Sequence, residues 1–180
     1  MDFQELNRQI KSPDTAAARL CRARWNAIAK PIGSLGLLEE AVIKMAALTG
    51  SDLPIIRRRA VLVLCADNGV VAEGVTQTGS EITALVAKNI VQGHACIRYM
   101  AKRADADVFA VDMGMNQPPG IKGILDYAVA RGTKNLAREA AMTAEEAEQA
   151  IRRGMELVRR CQQQGYQLLA TGEMGIGNTT

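Results

Sequence analysis

Three short apolar runs limit what this chain can fold into. Ala60 to Ala66 is continuously apolar, Val108 to Val111 repeats the pattern, and Tyr166 to Ala170 is a third run, apolar but for Gln167. A strand with one wet face alternates apolar and polar residues, whereas an unbroken apolar run is expected of a strand covered on both faces in a parallel sheet. Helical segments lie between the runs. Ser80 to Gln92 and His94 to Arg103 read as helices separated by Gly93. A further helix opens at Thr143-Ala144-Glu145-Glu146, where the Thr143 hydroxyl can accept from the Glu146 N–H while the Glu146 carboxylate reaches back. That helix places Ala147, Ile151, Gly154, Val158 and Cys161 on one stripe, leaves Arg152, Arg153, Arg159 and Arg160 mostly outside it, and ends at Gly165. A short strand is expected at Ile124 to Ala130, within a turn-rich segment from Gly114 to Gly132 that contains Pro118 and Pro119. Strand, helix, strand, helix, strand with short connections predicts an α/β fold with a parallel sheet.

Two helices precede the first strand. Residues 13–29 suit a helix with Pro13 in its first turn. Lys30-Pro31-Ile32-Gly33-Ser34 is a turn, Ser34 can cap a second helix running to Thr49, and Gly50 supplies a stop. The expected division is a helical appendage over residues 1–50 and the parallel α/β domain over 51–180.

Composition excludes several function classes. The chain has 22 Lys+Arg against 19 Asp+Glu, and a net charge of +3 is too small to argue for nucleic acid. No run approaches the roughly 18 apolar residues of a membrane span. Met1-Asp2-Phe3-Gln4-Glu5 lacks the basic start and apolar core of a signal peptide, so cytoplasm is the expected compartment. Cys21, Cys65, Cys96 and Cys161 each stand alone in a different element, with no CxxC pair and one histidine, His94, in the whole chain. They read as buried or half-buried thiols, no metal site is expected, and His94 beside Gly93 reads as a capping or packing residue. Arg57-Arg58-Arg59 reads as a solvated lead-in to the first strand.

Ligands of parallel sheets gather beyond the carboxyl ends of the strands. The first run is followed by Asp67-Asn68-Gly69, the second by Asp112-Met113-Gly114, and the third by Gly172-Glu173-Met174-Gly175-Ile176-Gly177-Asn178. Each exit pairs a carboxylate with glycine. Glycine lets the backbone turn with positive φ and lets a ligand approach, and a carboxylate there can hydrogen-bond a ribose hydroxyl or offset a developing positive charge. The last loop, followed by Thr179 and Thr180, has the order of a strand exit leading to a helix N-terminus, whose amides can surround a phosphate. It is neither the usual P-loop, which needs Gly-Lys-Ser or Gly-Lys-Thr, nor a GxGxxG fingerprint.

Four ordered segments, spread over essentially all 180 residues, carry a resemblance to a known family. They are Lys30-Pro31-Ile32-Gly33-Ser34-Leu35-Gly36 with Leu38-Glu39, Cys65-Ala66-Asp67-Asn68-Gly69-Val70 with Glu73-Gly74-Val75, Val129-Ala130-Arg131-Gly132-Thr133-Lys134-Asn135, and Gly172 to Thr180. Together they resemble the nicotinate-nucleotide–dimethylbenzimidazole phosphoribosyltransferases. The resemblance implies a Rossmann-like parallel sheet, a small helical domain built from both chain ends, and a homodimer. It also implies transfer of the ribose phosphate of nicotinate mononucleotide to 5,6-dimethylbenzimidazole, giving α-ribazole 5′-phosphate and nicotinate in cobalamin lower-ligand synthesis, without metal or organic cofactor. By the same matching, Gly172, Gly175, Ile176, Gly177, Asn178 and Thr179 belong to the phosphate and ribose site, and Glu173 lies close to the reacting ribose, where its charge offsets a cationic transition state. Asp67 joins the substrate-binding set, and Thr78 and Val86 fall in the segment of the benzimidazole pocket. The match departs at Asn68, where many relatives carry histidine.

Family members continue past this loop to a carboxyl-terminal part that holds the glutamate regarded as general base. A chain ending at Thr180 is therefore expected to carry an incomplete sheet with an exposed apolar edge and to be weakly active or inactive alone. The other readings are a non-catalytic dimerisation or binding module, one half of a split enzyme, or a different sugar-phosphate enzyme on the same fold.

Overall fold

In a computed structural model of the chain, residues 3–118, 120 and 122–180 are described, so Pro119 of the Pro118-Pro119 pair lies outside them. The chain divides into two units, Met1–Ile55 and Ile56–Thr180.

The first unit is helical: α1 (Phe3–Gln9), α2 (Thr15–Ala27) and α3 (Leu37–Thr49). Both longer helices begin differently from the sequence reading. Asp14, one residue after Pro13, caps α2 by accepting from the Ala16 and Ala17 amides at 2.8 and 2.9 Å. Pro13 thus precedes the cap, because a carboxylate satisfies two orphan amides that proline leaves untouched. Helix α3 starts after Gly36 (φ 54°), with no side-chain cap. Ser34 sits instead inside a turn that its own N–H closes onto the Pro31 carbonyl. Gly50 stops α3 in the left-handed conformation (φ 66°), as expected. The turn between α2 and α3 is clamped by an ion pair: Lys30 Nζ lies 2.7 Å from Glu39 Oε1, which also accepts from the Leu35 N–H at 3.0 Å. Both side chains are largely buried, and the Lys30 hydrogen bond, followed by that from Leu35, holds the Glu39 carboxyl below its ordinary range. Cys21, Ile43 and Ala46 form the small core of this unit.

The second unit is a parallel α/β layer structure. Its elements are β1 (Arg59–Ala66), α4 (Glu81–Gln92), α5 (Cys96–Arg103), β2 (Ala106–Gly114), β3 (Ile124–Asp126), α6 (Ala144–Gln163) and β4 (Leu168–Met174). The sheet order is β3-β2-β1-β4, every pairing being parallel. Alternate residues of β1 enter different cores. Ala60 and Leu62 pack with Val111, Leu157 and Cys161 on one face. Val63 and Cys65 pack with Ala87, Ile90, Ala101 and Ala110 on the other. That double cover is why the run lacks polar residues. Burial also pushes the Cys65 thiol up to about 11.

The Thr143 capping box forms with both of its reciprocal bonds. The buried stripe of α6 differs from the expected one. Leu157 and Cys161 are buried, whereas Ile151 and Val158 are half exposed, because the face that meets the sheet is rotated by about one residue. Strand β4 begins two residues later than the Tyr166 run, since the Tyr166 N–H still closes onto the Cys161 carbonyl at the end of α6. It extends to Met174 through Thr171, Gly172 and Glu173, which the apolar pattern alone does not mark as strand. Strand β3 is cut to three residues. Among the four cysteines Cys96 is exposed, unlike the other three. His94 is exposed too, and its backbone N–H caps α4 by bonding the Asn89 carbonyl.

Candidate functional site

The parallel topology brings the exits of β2, β1 and β4 side by side on one edge of the sheet, with β1 in the middle. The backbone of Asp67, at the β1 exit, is pinned on two sides. Its N–H donates to the Gly114 carbonyl and its own carbonyl accepts from the Thr133 N–H, both at 3.0 Å. The residue is 2% exposed. Oδ2 accepts from the Asn116 N–H at 2.7 Å, while Oδ1 is buried and has no partner among the described residues. A buried carboxylate oxygen without a donor is costly unless something supplies one. Asp67 lies on the wall of two cavities, one of about 270 Å³ shared with Ser80, Glu81, Ala84 and Asn116, the other of about 170 Å³ shared with Gly114 and Gly132.

At the β2 exit Asp112 is equally buried but fully used. Its Oδ1 accepts from the Gly114 and Met115 amides at 2.9 and 2.7 Å, and Oδ2 pairs with Arg131 at 3.0 Å. The two aspartates that look alike in sequence thus differ: Asp112 ties a loop together, and Asp67 keeps one buried oxygen unpaired.

The β4 exit is folded onto β1. The Ile176 N–H donates to Thr83 Oγ1 at 3.2 Å, and Asn68 Nδ2 donates to the Ile176 carbonyl at 3.1 Å. Gly175 is glycine for a steric reason, because a Cβ there would stand 2.2 Å from the Ala66 carbonyl oxygen. Gly177 (φ 84°) turns the chain, after which the Asn178 and Thr180 amides bond back to the Gly175 and Gly177 carbonyls. The Gly177 and Thr179 amides donate to no acceptor among the described residues. Glu173 is exposed at the end of β4, and one carboxylate oxygen accepts from the Asn178 side-chain amide. The loop therefore offers free N–H groups beside a fixed carboxylate, a combination suited to a ribose phosphate.

The segment 129–135 joins the same edge. The Gly69 N–H donates to Thr133 Oγ1 at 3.1 Å, and a Cβ at Gly69 would lie within 2.6 Å of the Thr133 and Lys134 carbonyls. Glu73 accepts from Arg138 Nε at 2.7 Å. Of the residues singled out from sequence, Asp67, Glu173, Gly175, Ile176, Gly177, Asn178 and Thr179 come together here, with Gly172 inside β4 opposite Val63. Thr78 is exposed in the loop before α4, where its carbonyl accepts from the Thr76 hydroxyl. Val86 packs against the core beneath β1. Ser80, just before α4, and Glu81 and Ala84 within it line the cavity of about 270 Å³, and the helix period from buried Thr83 and Ala87 is the signal that could have found them. No group of three His, Cys, Asp or Glu that could hold a metal exists among the described residues, and none of their helices is long and apolar enough to cross a membrane.

The family model described as phosphoribosyltransferase matches residues 10–180. This chain belongs to that phosphoribosyltransferase family. Among its relatives, the nicotinate-nucleotide–dimethylbenzimidazole phosphoribosyltransferase of Clostridium tetani is 42% identical over 98% of this chain and 49% of the relative. That of Geobacter metallireducens is 42% identical over 95% and 49%. The crystal structure of CobT from Thermus thermophilus superposes with a TM-score of 0.85 at 43% identity, covering 91% of this chain and 50% of that one. This phosphoribosyltransferase chain thus spans about half the length of the relatives it matches. Both the family resemblance and the parallel α/β fold read from the sequence agree with these matches.

Proposed function

We propose that this chain supplies the nucleotide-holding part of a phosphoribosyl transfer from nicotinate mononucleotide to 5,6-dimethylbenzimidazole, giving α-ribazole 5′-phosphate and nicotinate for cobalamin synthesis in the cytoplasm, with the complete enzyme a homodimer. The observation that carries the reading is the parallel pairing of β1 and β4, which brings to one edge of the sheet the unpartnered Asp67 oxygen, the free Gly177 and Thr179 amides and the Glu173 carboxylate. Loss of the pyridinium leaving group builds positive charge on the ribosyl carbon. Glu173, steadied by Asn178, offsets that charge, the loop amides hold the 5′-phosphate, and Asp67 Oδ1 accepts from a ribose hydroxyl or from a donor on the incoming base. No organic cofactor or metal is needed for this chemistry.

A second reading, one half of a split enzyme, is favoured by β4 being an edge strand, free to take a further strand that brings the proton acceptor. Isothermal titration of the chain with nicotinate mononucleotide tests the first reading. Binding that weakens about tenfold or more in Glu173→Gln and Asp67→Asn supports it, and absence of binding, or equal binding by both variants, refutes it. Formation of α-ribazole phosphate only on co-expression with the carboxyl-terminal half of a relative supports the split arrangement.

A further inference from the structure

The opposite edge of the sheet, where β1 and β2 begin, holds a feature the transfer reaction does not use. An open cavity of about 590 Å³ lies among the lead-in to β1, helix α5 and the start of β2. The three consecutive arginines Arg57, Arg58 and Arg59 line it together with Arg98 and Lys102, against two carboxylates, Asp105 and Asp107. Five cations against two anions leave an excess of three, as large as the net charge of +3 on the whole chain.

The cations are not equally engaged. Arg58 is fixed in place, its guanidinium 4.4 Å from the Tyr166 ring centre and donating to the Gln164 carbonyl. Arg98 donates to the Val108 carbonyl at 3.3 Å. Arg59 reaches Asp105 at a loose 3.7 Å, and its Nε is buried without a partner among the described residues. Asp107 accepts from the Tyr166 hydroxyl at 2.5 Å. The side chains of Arg57 and Lys102 have no hydrogen bond or ion pair among the described residues. Neutralising the carboxyl end of α5 does not account for this cluster. A helix end carries about half a charge, which Lys102 and Arg103 in its last turn already oppose. The run Arg57 to Arg59 belongs to no helix.

We propose that this cavity is a second anion site, which takes a polyphosphate chain. Planar guanidiniums fixed by stacking and carbonyl contacts present forks that match phosphate oxygens, and the unpaired Arg57 and Lys102 complete the contacts without breaking an existing pair. Tyr99, 64% exposed, also lines the cavity, and an aromatic ring is a stacking partner for a base, so a nucleoside triphosphate and an inorganic tripolyphosphate share the required chemistry.

The test is calorimetric titration of the chain with tripolyphosphate and with metal-free ATP at low salt. Saturable binding with Kd below about 1 mM is expected, weakened at least about tenfold in the double variant Arg57→Ala/Lys102→Ala and restored in part by Lys102→Arg on the Arg57→Ala background. Arg57 and Lys102 are unpaired, so unchanged melting of the double variant verifies that the fold survives. Nicotinate mononucleotide in excess should leave tripolyphosphate binding intact, which separates this site from the carboxyl edge. Tighter binding of ATP than of tripolyphosphate, lost in Tyr99→Ala, assigns the site to a nucleotide. Equal binding assigns it to the bare phosphate chain. No binding up to about 5 mM, no loss in the double variant, or displacement by nicotinate mononucleotide overturns the proposal.

Discussion

Gly175→Ala tests the closure of the β1 and β4 exits on one another. The added Cβ would stand 2.2 Å from the Ala66 carbonyl oxygen and 3.0 Å from Asn68 Nδ2. A carbon and an oxygen need more than about 3 Å, so the β4 exit must retreat by about 1 Å. Backbone on both sides leaves no flexible side chain to yield, and overpacking of this kind costs about 1–3 kcal/mol. Retreat also stretches the bonds from Asn68 Nδ2 to the Ile176 carbonyl (3.1 Å) and from the Ile176 N–H to Thr83 Oγ1 (3.2 Å), each worth about 1 kcal/mol. The combined loss is about 3–5 kcal/mol, or a fall of about 10–15 °C in melting temperature. Thermal denaturation followed by circular dichroism reads this directly. Gly172→Ala is the control, because its Cβ would meet Val63 Cγ2 at 3.7 Å, an ordinary contact. Its melting temperature should stay within about 3 °C of the parent. Equal falls for both variants, or a fall below about 3 °C for Gly175→Ala, would refute the steric argument.

Thr83 is fully buried and its hydroxyl accepts from the Ile176 N–H, so Thr83→Val should cost about 1–2 kcal/mol in urea denaturation while Thr83→Ser costs less. Of the four cysteines, Cys96 alone should react quickly with a thiol reagent at about pH 8, and the other three only in denaturant. The Cys65 pKa, raised by burial to about 11, lies above that of the unfolded thiol. Its contribution to stability is therefore whole below about pH 8.5 and lost as pH rises through about 11, which a Cys65→Ala comparison across that range should show. Glu39 shifts the other way. Its lowered pKa gives stability that is present above the unfolded value near about 4.3 and lost as pH falls through the folded value, so Glu39→Gln should melt below the parent at about pH 7 and approach it in acid.

Much of the candidate site was legible because glycine and carboxylate chemistry is local. A strand exit needs residues that turn, and Asp67, Glu173, Gly175 and Gly177 announce themselves by type and by their place after apolar runs. What type and place do not reveal is which polar atoms remain unpaired. Asp67 and Asp112 are indistinguishable in a sequence, yet Arg131, 19 residues from Asp112, pairs with it, while the partner of Asp67 Oδ2 is a backbone amide 49 residues away. Ser80, Glu81 and Ala84 escaped notice because the reach of a helix into a cavity depends on its rotation over the sheet, the same variable that exposed Val158 and buried Leu157.

The chain's own order of residues determined the parallel α/β layering, the Thr143 capping box, the Gly50 stop and the family, since period, caps and motif spacing are carried by residues close in sequence. Tertiary structure alone decided the order β3-β2-β1-β4 that sets three exits on one edge, and it alone assembled the Arg57-Arg58-Arg59 run with Arg98 and Lys102 into a cavity on the other. The physical reason is that strand neighbours and charge partners are chosen by burying two faces of one sheet. That choice compares free energies over the whole unit and leaves no mark on any single stretch of sequence.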